Sequence, residues 1–363
     1  MANRNLNDAK NAKNDEYYTQ FDYIQREMNA YVTFNKDVFK DKSVLLPCDD
    51  PEWSNFTKYF AQKFDDLGLR KLVSTSFAPK SKSYDLFDEP TIFETGSPDF
   101  DEEKSLYNGR IFTLTRDDEN NSRQDIDNLK WDYLDEDGDF RSPELLKLRN
   151  EADIVITNPP FSLIREFLPW LIESKKLFSI IATVPAVTTK EIFPLIMNDR
   201  AWLGATANGN DMVFRVPEGF EIAKSDKDKA ARLGYVGDFT RLGNACWFTN
   251  IDHGSRHDRL PLMTAEENLK YSESKALKEN GYITYDDYDA IEIPETKLIP
   301  SDYLGKMGVP ITFLHKYNPE QFEILGIDRY LQDNPRFGNR FKIKGNEKFA
   351  RIVIKAREAA VDN

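Results

Sequence analysis

The chain has 363 residues, 40% of them hydrophobic and 13% aromatic, enough to build one large domain or two moderate ones around a sizeable core. This balance excludes collagen, coiled coil and wholesale disorder, and no apolar run approaches the roughly 18 residues of a membrane span. The net charge of −13 argues against a polyanionic partner as a whole, but residues 82–139 hold 18 acidic and 6 basic side chains while residues 329–358 hold 9 basic and 3 acidic, which leaves the C-terminal part open to nucleic acid.

Residues 1–14 are rich in Asn and Lys with almost no apolar content, and they read as a mobile arm with no secretory signal. From Asp15 the spacing of Tyr17, Phe21, Ile24, Met28 and Tyr31 predicts a helix with one apolar face. Val44, Leu45 and Leu46 form a short apolar run bounded by Pro47 and Pro51, the pattern of a buried strand ending in a turn. An amphipathic helix follows, with Ser54 placed to cap it and Gly68 to end it, and then a second strand in LRKLVSTSF.

Residues 79–130 are the least regular part, an acidic stretch punctuated by Pro79, Pro90 and Pro98. They suit a long insertion or a small antiparallel piece. A turn and helix in GDFRSPELLKLRN lead to the strongest strand, Ile154–Val155–Ile156. Next come a helix that Pro169 should end or kink, the strand LFSIIATVPAV and a short helix in KEIFPLIMNDR. Strands alternate with helices from about residue 43 to 200. That order predicts an α/β fold of parallel strands with helices on both faces and ligands at the carboxyl ends of the strands.

The segment Asn158-Pro159-Pro160-Phe161 carries the chemistry. Two consecutive prolines stiffen the loop and remove two N–H donors, so it presents carbonyl oxygens. Asn158 adds a side-chain acceptor and Phe161 an aromatic plane. Together they suit an exocyclic amine on a flat ring, stacked on Phe161, with its hydrogens accepted by Asn158 Oδ1 and the Pro159 carbonyl. Those bonds would hold the nitrogen lone pair outward and stabilise the positive charge that develops as it attacks an electrophile.

DIVITNPPF is similar to the amino-methyltransferase motif (D/N/S)-P-P-(Y/F/W). With NDEYYTQ at 14–20, CDDP at 48–51, SNF at 54–56 and MGVPITFLHKYNPEQFEILG at 307–326, the chain resembles the EcoRI-type adenine-specific DNA methyltransferases over about residues 14–327. The resemblance implies a Rossmann-like S-adenosylmethionine-dependent methyltransferase sheet at 15–255, with the acidic stretch as an insertion, and a C-terminal target-recognition region at 256–363. It implies methyl transfer from S-adenosyl-L-methionine to the 6-amino group of adenine in double-stranded DNA, in the service of restriction-modification or DNA protection. Asn158, Pro159, Pro160 and Phe161 would be the catalytic loop that receives a flipped adenine. Tyr17, Tyr18 and Thr19 would pack over the cofactor. Asp49, Asp50 and Pro51 would lie at its methionine end, and Asp139 and Phe140 would face its adenine. A cognate restriction endonuclease, acting separately, is a partner of the kind this family serves.

Two features depart from the common pattern. Pro-Cys-Asp-Asp-Pro stands where a glycine-rich loop is usual, and the strand LVSTSF lacks an acidic ribose ligand, offering only Ser74, Thr75 and Ser76. Other readings of the same loop are a methyltransferase acting on RNA or on protein glutamine, and a noncatalytic DNA-binding protein of the same fold. No metal site is expected: His253 and His257 have no third ligand pattern, His315 stands alone, and Cys48 and Cys246 lie far apart, which also fits a reducing cytoplasm. Arg336, Arg340, Lys342, Lys344, Lys348 and Arg351 alternate with Phe337, Phe341, Ile343 and Phe349, either a track for phosphates or the solvated face of a strand.

Overall fold

Parallel pairing begins where the chain leaves Lys42. The computed structural model describes residues 17–78, 101, 104–116, 130–206, 212–216, 222–335 and 337–357; the arm at 1–14, Arg336 and most of the acidic stretch (79–100, 102–103 and 117–129) lie outside them. The chain divides into two compact units, Met1–Thr183 with Asn210–Ile251, and Val184–Gly209 with Asp252–Asn363. Among the described residues no helix is long and apolar enough to cross a membrane.

In the first unit, β1 is Tyr18–Thr19, β2 Ser43–Leu46, β3 Lys71–Thr75, β4 Arg110–Thr115, β5 Asp132–Tyr133, β6 Ile154–Thr157 and β7 Leu177–Thr183. The second unit contributes β8, Trp202–Leu203, and the first resumes with β9, Met212–Arg215, β10, Phe239–Leu242, and β11, Ala245–Thr249. Strands of the first unit run in the order β5-β4-β3-β2-β6-β7-β11, while β1, β9 and β10 form a separate antiparallel sheet.

The run β3-β2-β6-β7 is parallel. All four residues of β2 and all four of β6 are buried, as expected for strands covered on both faces. The sheet is mixed rather than all parallel, since β4 pairs antiparallel with β3, β5 with β4, and β11 with β7.

The chain passes from β2 to β3 on one side and returns to β6 on the other side of β2. At such a switch point the loops leaving neighbouring strands diverge and open a crevice at their carboxyl ends. Pro47–Pro51 leaves β2 there and Asn158–Phe161 leaves β6.

The helix expected from Tyr17 begins at Phe21 and ends at Phe34, with Ile24, Met28 and Tyr31 buried. Tyr18 and Thr19 are instead extended and pair with Arg215 and Phe214. The 3–4-residue spacing of aromatics carries no trace of a strand almost 200 positions away, so the tertiary pairing overrides it. The next helix, Asn55–Gln62, is capped as expected, with the Ser54 hydroxyl accepting from Phe56 N at 3.0 Å, an arrangement that contributes about 1 kcal/mol. The helix Ile164–Glu173 runs through Pro169, with Phe167, Leu168, Trp170 and Leu171 buried around it. Here packing outweighs the lost hydrogen bond.

In the second unit a four-stranded sheet has the order β12-β13-β17-β14, from Ile291–Glu292, Met307–Pro310, Arg351–Ala356 and Phe322–Ile327. A two-stranded ribbon, β15 (Lys342–Ile343) with β16 (Asn346–Glu347), precedes β17.

Beside β3, the loop before Asp139 docks through Ala78 N to Asp137 O at 2.8 Å and Gly109 N to Glu136 O at 2.9 Å. Gly138 has φ +78°, and a Cβ there would stand 2.1 Å from the Ser76 carbonyl oxygen. Gly138→Ala is therefore expected to lower stability by about 1–3 kcal/mol, measured by urea unfolding, because the new methyl group displaces the loop and the backbone is strained.

Candidate active site

Asn158 follows the last residue of β6, and its side-chain amide is oriented by a main-chain partner. Nδ2 donates to the Tyr17 carbonyl oxygen. A carbonyl can only accept, so the amide nitrogen has to face it, and the amide oxygen is thereby turned away. Asn158 Oδ1 is buried with no hydrogen-bond partner. A buried carbonyl oxygen left unpaired costs about 1–3 kcal/mol, which a donor arriving at that spot would recover.

Phe161 lies beside it in a group of three rings. Its centroid is 5.3 Å from Tyr17 and 6.2 Å from Phe214, and Tyr17 stands 5.9 Å from Phe214. Pro159 is buried and Pro160 half-buried. The two prolines hold the loop between the end of β6 and the short 3₁₀ turn Phe161–Leu163.

Behind the loop stands Asp49, only 4% exposed. Its Oδ1 accepts from the Ser54 hydroxyl at 2.7 Å and its Oδ2 from the Thr157 hydroxyl at 2.6 Å. The Asn158 backbone N–H also bonds to this carboxylate. The Asp49 main chain is fixed too: its N–H donates to Thr75 O at 3.0 Å and its carbonyl accepts from the Ser74 hydroxyl, which lies 2.6 Å from Thr57 Oγ1. One residue thus fastens the ends of β2, β3 and β6 to one another. Burial pushes the Asp49 carboxyl up to about 7, although the Thr157, Ser54 and Asn158 hydrogen bonds each pull it down.

Asp50 is turned the other way. Its Oδ1 caps the turn by accepting from Glu52 N at 2.9 Å and Trp53 N at 3.2 Å. Its Oδ2 lies 3.4 Å from Arg110 Nη1, and that guanidinium also reaches Glu52 at 3.3 Å and covers the Trp131 ring at 4.6 Å. The Asp50 side chain remains 25% exposed, so it is the carboxylate of the pair that faces outward.

Around the end of β6 the chain thus gathers an unpaired acceptor, a group of three rings and, after β2, an outward carboxylate. The profile of the family described as "Adenine-specific methyltransferase EcoRI" matches residues 5–358. The chain belongs to that family. It is 39% identical to the Type II methyltransferase M.EcoRI of Escherichia coli, over 97% of this chain and 96% of that protein. It is 32% identical to the Type II methyltransferase M.MpnI of Mycoplasma pneumoniae, over 98% of this chain and 99% of that protein. No solved structure matches the chain.

In this member of the adenine-specific methyltransferase family, the structure brings Tyr17, Asn158 and Phe161 into one cluster and Asp49 directly behind it. Thr19 is buried, its carbonyl accepting from Asn55 Nδ2 at 2.8 Å and its hydroxyl without a hydrogen-bond partner. Tyr18 is 37% exposed, and Pro51 is buried at the turn after Asp50. Asp139 is held by Arg141 through two contacts, 2.9 Å at Nε and 2.7 Å at Nη2, and Arg141 also pairs with Glu166. These carboxylates hold the Arg141 guanidinium well above its usual range. Phe140 is 4% exposed and packs 5.2 Å from Phe167 and 5.6 Å from Trp170.

Sequence reasoning missed Thr157, Arg110, Arg141 and Phe214, and gave Ser54 only its capping role. Phe214 reaches Phe161 by way of the β1–β9 pairing, for which no local pattern exists. Thr157 carried a faint signal, as the polar last residue of an otherwise apolar strand. His253 bonds through Nε2 to Leu203 O at 3.0 Å and His257 through Nε2 to Asp252 at 2.9 Å, so both rings serve the second unit's own packing.

An acid whose folded pKa is raised keeps its proton at pH values where the unfolded chain has lost it. Its contribution to stability is therefore greatest below the ordinary carboxylate range and declines as pH rises towards about 7. Asp49→Asn has no proton to lose and keeps the shape of the site. Between pH 5 and 7 the unfolding free energy of the unsubstituted protein should fall by about a few kcal/mol relative to Asp49→Asn, as read from denaturant melts at a series of pH values.

Proposed function

We propose that this chain, an adenine-specific methyltransferase of restriction-modification type, methylates the 6-amino group of adenine in double-stranded DNA with S-adenosyl-L-methionine as donor. The observation that carries the reading is the buried, unpartnered Asn158 Oδ1 beside the Phe161 ring. The mixed sheet is then a Rossmann-like methyltransferase sheet with the cofactor crevice at its β2–β6 switch point, and the second unit is the target-recognition region.

The polar groups around the crevice fit the cofactor. The Asp50 carboxylate suits its ammonium group. The Thr75 hydroxyl at the end of β3 and the Thr19 hydroxyl, both buried without hydrogen-bond partners, suit its oxygen- and nitrogen-bearing parts. When bound, S-adenosylmethionine supplies an electrophilic methyl group. This chain's own residues do the rest. Asn158 Oδ1 and the Pro159 carbonyl accept the two amino hydrogens of adenine and hold its lone pair outward. Phe161 supplies the stacking plane. Asp49, through Thr157 and the Asn158 N–H, keeps the loop at the register this requires. The nitrogen–methyl bond forms as the methyl–sulfur bond breaks, releasing the neutral thioether, and the methylated amine then gives one proton to water, so that no acid or base of the protein is needed and the rate comes from positioning and from acceptors aimed at developing positive charge.

The amine is out of reach inside a duplex, so adenine has to leave the stack, at about a few kcal/mol that pocket contacts offset. Because Oδ1 is buried and Tyr17 occupies the space beside Phe161, the Tyr17–Thr19 segment has to shift as the base enters. In a cell that carries a cognate endonuclease, this methylation would protect the host's own sites.

The test is transfer of labelled methyl from S-adenosylmethionine to mixed-sequence duplex DNA. Label should appear in N6-methyladenine, and Asn158→Ala should reduce kcat by about 10²–10³ with cofactor binding retained, as for the loss of one preorganised polar contact. Label in RNA or in protein glutamine instead of DNA would sink the reading, and near-normal turnover of Asn158→Ala would remove that residue from its role.

A further inference from the structure

The C-terminal alternation of basic and apolar residues resolves into a surface with two sides. In the ribbon, Lys342 pairs with Glu347 and Ile343 with Asn346, and Lys348 N donates to Phe341 O at 2.9 Å. Directly opposed residues of an antiparallel pair share a face, and Phe349 follows in a bend between the ribbon and β17. Phe341 and Ile343 point inward, 3% and 6% exposed. Phe341 stacks on Tyr288 at 4.7 Å and packs against Tyr285 at 4.5 Å. The other face holds the opposed pair Lys342 and Glu347, with Lys344 at the turn and Arg340 and Phe349 at the open end of the ribbon.

Phe349 is 83% exposed, the most exposed aromatic ring among the described residues. Its main chain lies against an anchored cation. Arg351 Nη1 lies 3.4 Å from the carbonyl oxygens of both Phe349 and Ala350. That guanidinium is anchored on Glu292 at 2.6 Å through Nη2 and 3.0 Å through Nε, and Glu292 accepts in turn from the Tyr285 hydroxyl. The far end of the ribbon is fixed by Asp286, whose carboxylate accepts from Lys344 N and Gly345 N, both at 2.8 Å. A large apolar ring exposed beside cations gains nothing from solvent, and it suits a partner that offers both phosphates and stackable or wedgeable rings.

We propose that the β15–β16 ribbon is a duplex-DNA contact surface, with Phe349 as its apolar wedge against the bases and Arg340, Lys342 and Lys344 on the phosphates. Within residues 340–349 Glu347 is the one acidic side chain, and the neighbouring Asp286 is committed to the turn. The inference rests on the reading above that duplex DNA is the substrate, and it names which part of the second unit meets it.

The experiment uses the full chain and a mixed-sequence linear duplex. Affinity is followed by fluorescence anisotropy across a salt series, and methyl transfer is measured alongside. Phe349→Ala should weaken binding and raise KM for DNA about tenfold, the order seen when one stacking side chain is removed, with the slope of log affinity against log salt unchanged. Phe349→Leu, which keeps a wedge, should recover most of the loss. Arg340→Ala with Lys342→Ala and Lys344→Ala should reduce that slope by about 2–3, from the counterions no longer released. Unfolding midpoints and S-adenosylmethionine affinity should stay at the unsubstituted values in all three. Unsubstituted enzyme that methylates DNA, beside Phe349→Ala and triple variants that bind and methylate as it does, would overturn the surface and leave the functional reading intact. DNA binding that depends on this ribbon but yields no methyl transfer would support the surface and overturn the functional reading. No DNA binding at all would overturn both.

Discussion

A single buried carboxylate ties together the parts of this protein that have to agree. Asp49 leaves β2, and its two oxygens are taken by Ser54 at the start of the next helix and by Thr157 at the end of β6. Neither hydroxyl could be lost cheaply, because a buried polar group left without its partner retains most of its desolvation cost. The arrangement explains why the Asn158 loop can be stiff without being part of any regular element. Its N-terminal end is fixed by a hydrogen bond to the residue that fixes the rest of the crevice, and its next two residues have lost a donor and a rotational freedom to proline.

The crevice itself follows from strand order. With β3 and β6 on opposite sides of β2, the loops at their carboxyl ends part, and Pro47–Pro51 and Asn158–Phe161 leave the sheet at the same end. No glycine-rich turn follows β2; Pro47 to Pro51 stands there, and its rigidity comes from the side-chain bonds of Asp49 and Asp50. This division of labour between adjacent acids is chemically sensible. The inward acid stabilises the frame, and the outward one, balanced by Arg110, remains partly solvated and available to a cationic group.

The second unit shows the same economy with charge. Of the cations in its C-terminal series, Arg351 is spent inside, paired with Glu292 and bracing the chain at Phe349. Phe341 and Ile343 are spent in the core. What remains on the outer face is basic and aromatic together, on a chain whose net charge is −13. Local arrangement, rather than overall charge, is what a polyanion would meet there.

Much of this was legible in the sequence because it depends on local rules. The apolar runs of β2 and β6, the Ser54 cap and the two-proline loop after a buried strand each follow from residues within a few positions of one another, and the family resemblance rests on those same short motifs. Other features needed the folded chain. Tyr18 and Thr19 became a strand because Phe214 and Arg215 lay beside them, and β4, β5 and β11 ran antiparallel because sheet direction is decided by which strand comes to lie alongside. The sequence marked Asn158 as an acceptor. Only the fold turned its nitrogen to the Tyr17 carbonyl and left its oxygen unpaired, since that choice is made by a main-chain atom 141 residues away.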